Sequence, residues 1–296
     1  MSDVRRATVW LVVLLAVVIA GDHLLAAALQ QVLLRSQCRF SRLYRGGNDA
    51  DIVILGDSRG VHSFYVPAIE KLTGLRALNL SYNSMSPPIA EAVMLDYLEH
   101  NRAPRLVIIE ATSVITSGAL LTELRTYAGL SPRMRALYAK DHRVAAAAGR
   151  VFWLYPLNSD LFVAAVHYMR RSDQDWIFRE SMPVALRGPR LRGPLAPIAD
   201  NVEALARVVR LLRARGIAVR VIIAPYAPNV LPTNAAAFAE LMEQRTGEPV
   251  LNYIAALDDF DDFADPVHLN ERGSRAFLAM LVRDGALGMA RPAARF

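Results

Sequence analysis

Asp51-Ile52-Val53-Ile54-Leu55-Gly56-Asp57-Ser58-Arg59 is the stretch from which the fold of this chain is read. Ile52, Val53 and Ile54 are β-branched and Leu55 completes an unbroken apolar run, the pattern of a strand buried on both faces. A glycine directly after such a strand lets the backbone turn sharply. A small polar side chain then stands at the strand's C-terminal end, where open α/β sheets bind ligands. Ser58 is therefore a candidate nucleophile. A serine hydroxyl is weak alone and needs a base within hydrogen-bond reach. Near the other end of the chain, Asp265-Pro266-Val267-His268-Leu269-Asn270 sets a carboxylate and an imidazole three residues apart. The task of the fold would be to bring residue 268 beside residue 58.

Working outward, strands and helices alternate. Strand signals cover 50–55, 76–80, 105–110, 217–224 and 249–254, and helical periodicity covers 66–72, 89–100, 200–215 and 234–245. Pro87 and Pro88 stand where prolines open a helix, and Asn270 or Glu271 opens a last one reaching about Asp284. This order predicts an α/β fold, a parallel five-stranded sheet sandwiched by helices in three layers. Residues 117–198 break the rhythm. Helical patches at 119–127, 132–138 and 160–171 alternate there with Pro/Gly stretches such as Gly188-Pro189-Arg190-Leu191-Arg192-Gly193-Pro194. The expected organisation is an anchor at 1–35, the first half of the sheet domain at 36–116, a helical basic insertion at 117–198, and the second half at 199–296.

At the N-terminus, Arg5 and Arg6 precede an apolar run from Ala7 to Gly21, which Asp22 and His23 interrupt before Leu24–Leu34 continues it. About 20 apolar residues cross a bilayer. Arginines on the near side orient the N-terminus inward and leave the rest of the chain outside the cytoplasm. The expectation is a retained single-pass membrane anchor with the main domain outside the cytoplasm. The alternatives are a signal peptide cleaved before Gly21 and a core helix, against which the first half's lack of a polar face speaks.

Composition narrows the class further. Hydrophobic residues are 53% of the 296, enough for a sizeable core, and a single cysteine, Cys38, excludes an internal disulfide framework and a Cys-based metal site. The net charge is +6, and residues 117–199 alone carry 12 Lys/Arg against 6 Asp/Glu. With Trp153, Tyr155, Tyr168 and Trp176 in the same segment, this basic surface suits a polysaccharide, a headgroup layer or a partner protein, or is an ordinary solvated insertion. Nucleic acid is not expected outside the cytoplasm.

Gly56-Asp57-Ser58-Arg59 early and Asp265-Pro266-Val267-His268-Leu269-Asn270-Glu271-Arg272-Gly273 late resemble the first and last sequence blocks of the SGNH (GDSL-type) hydrolase superfamily. The likeness is greatest to the membrane-anchored SGNH-like proteins of bacterial envelope polysaccharide and teichoic acid acylation, and it covers about residues 50–115 and 200–285. The resemblance implies Ser58 as nucleophile, His268 as base and Asp265 as the carboxylate that orients it. It also implies an oxyanion hole from the serine amide, a block-two glycine and a block-three asparagine. Here Ser84 aligns with the glycine. Block three reads Ile108-Ile109-Glu110-Ala111-Thr112-Ser113-Val114, without the asparagine. Asn83, Thr112 and Ser113 are the candidates to fill that gap, and Arg59 is a candidate for binding an anionic group or for pairing with a helix.

The implied function is an esterase or O-acyltransferase acting on a cell-envelope or secreted polysaccharide, with no cofactor or metal and with a membrane acyltransferase or polysaccharide synthase as the expected partner. The alternative from a different class is an eroded domain that binds glycan or scaffolds an acylation or export complex. A third is an esterase for lipids or small esters. His62 is expected to be structural. His100, His142 and His167 have no partner at metal-ligand spacing, and Asp258, Asp259, Asp261 and Asp262 do not follow the EF-hand pattern and read as a solvated acidic loop.

Overall fold

The apolar run at 52–55 is a strand, β1 (Ile52–Leu55), and all four of its residues are buried. In the computed structural model, which describes residues 3–118, 122–155, 163, 166–188 and 190–288, it pairs in parallel with β2 (Ala77–Asn79) on one side and β3 (Leu106–Glu110) on the other. A short parallel ladder joins β4 (Leu191–Gly193) to β6 (Val230–Pro232). The main sheet continues from β3 to β5 (Ala218–Ile223) and then β7 (Val250–Asn252), giving the order β2-β1-β3-β5-β7 with every pair parallel. The five strands and their helices fall where the periodicity puts them, to within a residue or two at the ends. The β4–β6 ladder was not anticipated, because three residues are too few to show a period.

Strand alternation sorts the core into two faces. Ile52 and Ile54 of β1 and Leu106 and Ile108 of β3 point the same way, into a buried cluster with Phe64, Ile69, Phe277, Leu278 and Leu281. Those partners come from the helix Val66–Thr73, the segment before it, and the helix Glu271–Arg283. The opposite face is covered by the helices Pro87–His100, Ala199–Ala214 and Ala235–Thr246, with the middle one packed against both others. The result is three layers with every loop that follows a main-sheet strand at one edge.

The chain divides into two compact units, residues 1–45 with 119–171, and residues 46–118 with 172–296. These limits differ from the expected ones at two places, each for a packing reason. Residues 39–45 form a helix that belongs to the first unit, where Phe40 and Tyr44 lie 5.9 and 5.3 Å from the Tyr127 ring and Ser41 hydrogen-bonds its hydroxyl at 2.7 Å. Residues 172–198 belong to the sheet unit, where Ile177 and Met182 join the core cluster. Of the expected insertion helices, the one at 132–138 runs Pro132–Asp141, the one at 119–127 is reduced to Thr122–Arg125 with residues 119–121 outside the described set, and residues 160–162, 164 and 165 of the one at 160–171 also lie outside it.

Asp3–Arg35 is one unbroken helix of 33 residues, so Asp22 and His23 interrupt the apolarity and not the helix. Its most apolar 18-residue window has a mean hydropathy of 2.3 and is long enough to cross a membrane. Val4, Trp10 and Val17 are 76, 71 and 64% exposed, whereas Ala26 and Leu33 are fully buried in the first unit.

Candidate active site

Ser58 is the first residue of a short helix, Ser58–Ser63, that starts immediately after β1. Asp57 caps it: Oδ1 accepts from the Arg59 amide at 2.9 Å, and Oδ2 accepts from the Thr116 hydroxyl at 2.7 Å. The turn is possible because Gly56 and Gly60 carry no side chain. A Cβ on Gly56 would lie 2.8 Å from Glu110 Cβ, and one on Gly60 would lie 2.4 Å from Ser81 Oγ. The glycines thus let this helix seat against the ends of β2 and β3, which holds the half-buried Ser58 at the C-terminal edge of the sheet.

The loop after β7 brings the other partners to the same place. His268 Nε2 lies 2.8 Å from Ser58 Oγ, and His268 Nδ1 lies 2.7 Å from Asp265 Oδ2. Asp265 Oδ1 accepts from the amides of Val267 and His268, at 2.9 Å each, so the carboxylate is locked by its own loop. With Nδ1 donating to Asp265, Nε2 is left as the acceptor for the serine proton. Burial pushes the Asp265 carboxyl upward, but the hydrogen bond from His268 and the two amides outweigh it and hold the group below the ordinary carboxylate value. The carboxylate is therefore ionised across the neutral range. His268 and Asp265 keep 19 and 33% of their side-chain surface, so the site is reachable from solvent.

Arg59 does not face this opening. Its side chain is 4% exposed and runs beneath the site. Nη1 donates to the Val267 carbonyl at 2.7 Å, Nη2 donates to Ala224 and Pro225 at 2.6 and 3.3 Å, and the guanidinium lies 3.6 Å from the centre of the Tyr226 ring. Nε is 3.5 Å from Glu110 Oε1, a carboxylate with no exposed surface. Burial drives the Glu110 carboxyl upward, against the opposing pull of Arg59. Of the two roles open to Arg59, anion binding is thereby corrected to a structural one. It ties the loop that carries His268 to the ends of β3 and β5.

The hydroxyls of Thr112 and Ser113 are committed inward as well, Thr112 to Glu110 Oε2 at 2.7 Å and Ser113 to the Glu110 carbonyl at 2.8 Å. Neither side chain is therefore available in place of the missing asparagine. The loop after β2 is different. Its Tyr82 amide donates to the Gly56 carbonyl at 3.2 Å, and the Met85 amide closes a turn onto Tyr82 at 3.0 Å. Ser84 sits in that turn at φ 58°, alone among the described non-glycine residues in the left-handed region. A glycine adopts that conformation readily and a serine seldom. Among the described residues, the amides of Ser58 and Ser84 donate to no other group. The Asn83 side-chain oxygen is buried without a hydrogen-bond partner among them.

Sequence reasoning missed most of what the segment 172–182 supplies. Gln174 lies along the free edge of β2, accepting from the Asn79 amide at 2.8 Å and donating to its carbonyl at 3.2 Å. Phe178 stacks on His62 at 4.1 Å and lies 5.9 Å from the His268 ring. His62 is buried with its ring centre 5.3 Å from that of His268, so it backs the candidate base. Trp176, 36% exposed, lies 5.8 Å from His62 and 6.0 Å from Tyr82. Residues 173–176 turn there, the Trp176 amide donating to the Asp173 carbonyl at 3.4 Å, so no strand or helix period was present in the sequence to signal it. The acidic loop is neutralised by arginines: Arg272 pairs with Asp259 and Asp262, and Arg187 with Asp261 at 2.6 Å.

Compared with known protein families and with curated proteins, the chain matches none.

Proposed function

We propose that this protein is a membrane-anchored serine esterase or O-acyltransferase of the SGNH type, facing outward from the cytoplasmic membrane and acting on an O-acylated envelope or secreted polysaccharide. The observation that carries the proposal is the hydrogen-bonded chain from Ser58 Oγ through His268 to Asp265, at 2.8 and 2.7 Å, built from residues 210 apart in sequence. In this reading Ser58 Oγ attacks the ester carbonyl carbon while His268 Nε2 takes its proton. The C–O bond to the sugar breaks as His268 returns that proton to the leaving alcohol. Water, or the hydroxyl of a second sugar, then attacks the acyl-serine, losing its proton to His268, which passes it back to Ser58. The free amides of Ser58 and Ser84, with the Asn83 side chain, are the donors offered to the oxyanion. The flat ring of Trp176 supplies an apolar surface suited to the C–H face of a pyranose.

The test pairs chemistry with site mapping. A serine-directed fluorophosphonate should label the full-length protein at Ser58. Ser58→Ala and His268→Ala should each lower ester cleavage by about ten-thousand-fold, and the double variant should lose no more, because the two act as a unit. The inward commitment of Thr112 and Ser113 favours a second reading, a glycan-binding scaffold. Cells carrying Ser58→Ala with unchanged acylation of the polymer would decide for that scaffold.

A further inference from the structure

A second candidate site lies in the anchor unit. A cavity of about 400 Å³ opens between the outer half of the helix Asp3–Arg35 and the helices Pro132–Asp141 and Arg143–Ala148. Gln30, Arg135, Tyr138, Arg150 and Trp153 line it, separated by alanines and glycines.

Charge, unused polar groups and position together define what it would hold. Residues 22–45 and 119–171 carry 12 Lys/Arg against 4 Asp/Glu, whereas the sheet unit carries 20 against 23. The positive surplus of the chain is therefore concentrated in the unit that holds this cavity, and two of its arginines, Arg135 and Arg150, line it. Among the described residues the Arg150 side chain makes no hydrogen bond or ion pair, and that of Arg135 makes two long hydrogen bonds, 3.4 Å each, to the carbonyls of Ala128 and Gly129. Tyr138 is 4% exposed, and its hydroxyl has no hydrogen-bond partner among the described residues.

The level of the cavity follows from Asp22 and His23, the first polar residues after the apolar span. The Asp22 carboxylate accepts from the amides of Trp153 and Leu154, His23 Nε2 meets the Val151 carbonyl at 2.9 Å, and the His23 ring stacks on Trp153 at 4.2 Å. Trp153 thus marks the edge of the hydrocarbon, at the depth where tryptophans anchor membrane proteins. Gln30 is seven residues beyond His23, about 10 Å farther out along the helix. The polar layer outside the hydrocarbon is about 5–7 Å deep. The cavity runs through that layer.

We propose that this cavity binds the phosphate headgroup of an anionic phospholipid of the surrounding membrane. Arg135 and Arg150 hold the phosphate, Tyr138 and Gln30 donate to its remaining oxygens, and Trp153 packs at the glycerol level. The inference rests on the reading of Asp3–Arg35 as a membrane span and is independent of the chemistry at Ser58.

The experiment is native mass spectrometry of the full-length protein in detergent micelles, titrated with dioleoyl-phosphatidylglycerol or dioleoyl-phosphatidylcholine. The phosphatidylglycerol adduct should form in preference. Arg135→Ala/Arg150→Ala should weaken it by about tenfold or more, since two charge-assisted contacts are lost, and Tyr138→Phe should weaken it severalfold. Arg143→Ala, which removes a charge of the same unit outside the cavity, should change it little, and Ser58-dependent ester cleavage should be the same in all. Equal binding of phosphatidylcholine, or an equal loss in Arg143→Ala, would overturn the site. Complete displacement by millimolar inorganic phosphate would reassign it to free phosphate. Carbonate washing of membranes tests the span separately: a chain that washes off yet keeps the adduct refutes the span and retains the site.

Discussion

Replacing Arg59 by Met should unfold the sheet unit far more easily while leaving the substrate-facing surface untouched. The variant keeps the apolar stem and removes three hydrogen bonds to carbonyls at 2.6, 2.7 and 3.3 Å, together with the counter-charge of Glu110. Breaking a buried ion pair from one side costs about 3–5 kcal/mol. For a unit of about 200 residues that is a fall of about 6–20 °C in melting temperature. The cost should depend on pH. Burial already raises the Glu110 carboxyl, and losing Arg59 raises it further. A carboxyl raised in the folded state favours folding below its unfolded pKa and loses that contribution as pH rises. The deficit of the variant should therefore be small near pH 4, about the unfolded glutamate value, and grow toward neutrality. Thermal unfolding of the full-length protein in detergent, followed by near-ultraviolet circular dichroism at several pH values, measures this directly. Arg59→Met/Glu110→Met should recover much of the loss, because the uncompensated charge is gone. A single variant that melts within about 2 °C of wild type and instead raises KM for an anionic substrate would refute the positioning role, since 3 kcal/mol cannot hide in that margin.

Gly60→Ala should destabilise by about 1–3 kcal/mol, because its Cβ would meet Ser81 Oγ at 2.4 Å and Ser81 Cβ at 2.9 Å; Gly60→Ala/Ser81→Gly should restore the melting temperature, and a stable single variant would refute the contact. The stability difference between wild type and Asp265→Asn should be constant above about pH 3.9 and shrink as pH falls below it, as expected for a carboxyl held low in the folded state; urea titrations showing it shrink instead between pH 5 and 7 would reverse the sign. Trp176→Ala should raise KM for an O-acetylated polysaccharide by about two- to tenfold and leave p-nitrophenyl acetate cleavage unchanged, whereas equal losses on both would remove Trp176 from the sugar site. A C-terminal alkaline phosphatase fusion should be active and remain with the membranes, and a soluble product beginning at Gly21 would refute the retained anchor.

The sequence by itself determined the sheet and the inner geometry of each of its two distant motifs. Both rest on local causes. A buried parallel strand must be apolar on both faces, as Ile52–Leu55 is, and an Asp-x-x-His loop can satisfy its own carboxylate through amides two and three residues away, as Asp265 does. Helix ends were legible for the same reason, since Asn270 caps through its own side chain. What only the tertiary structure decided concerns groups whose partners are remote in sequence. Arg59 stands beside the nucleophile, yet its guanidinium ends on carbonyls 165 and 208 residues away. No local pattern distinguishes an arginine that reaches for solvent from one that is buried. Thr112 and Ser113 turned inward because Glu110, at the end of a fully buried strand, needed donors. Ser84 took a glycine's conformation because its turn hangs from Gly56. Trp176 and Phe178 came to the site because the edge of β2 was open and Gln174 could close it. An unpaired edge or a buried charge is settled by whichever segment can reach it, and reach is a property of the folded chain.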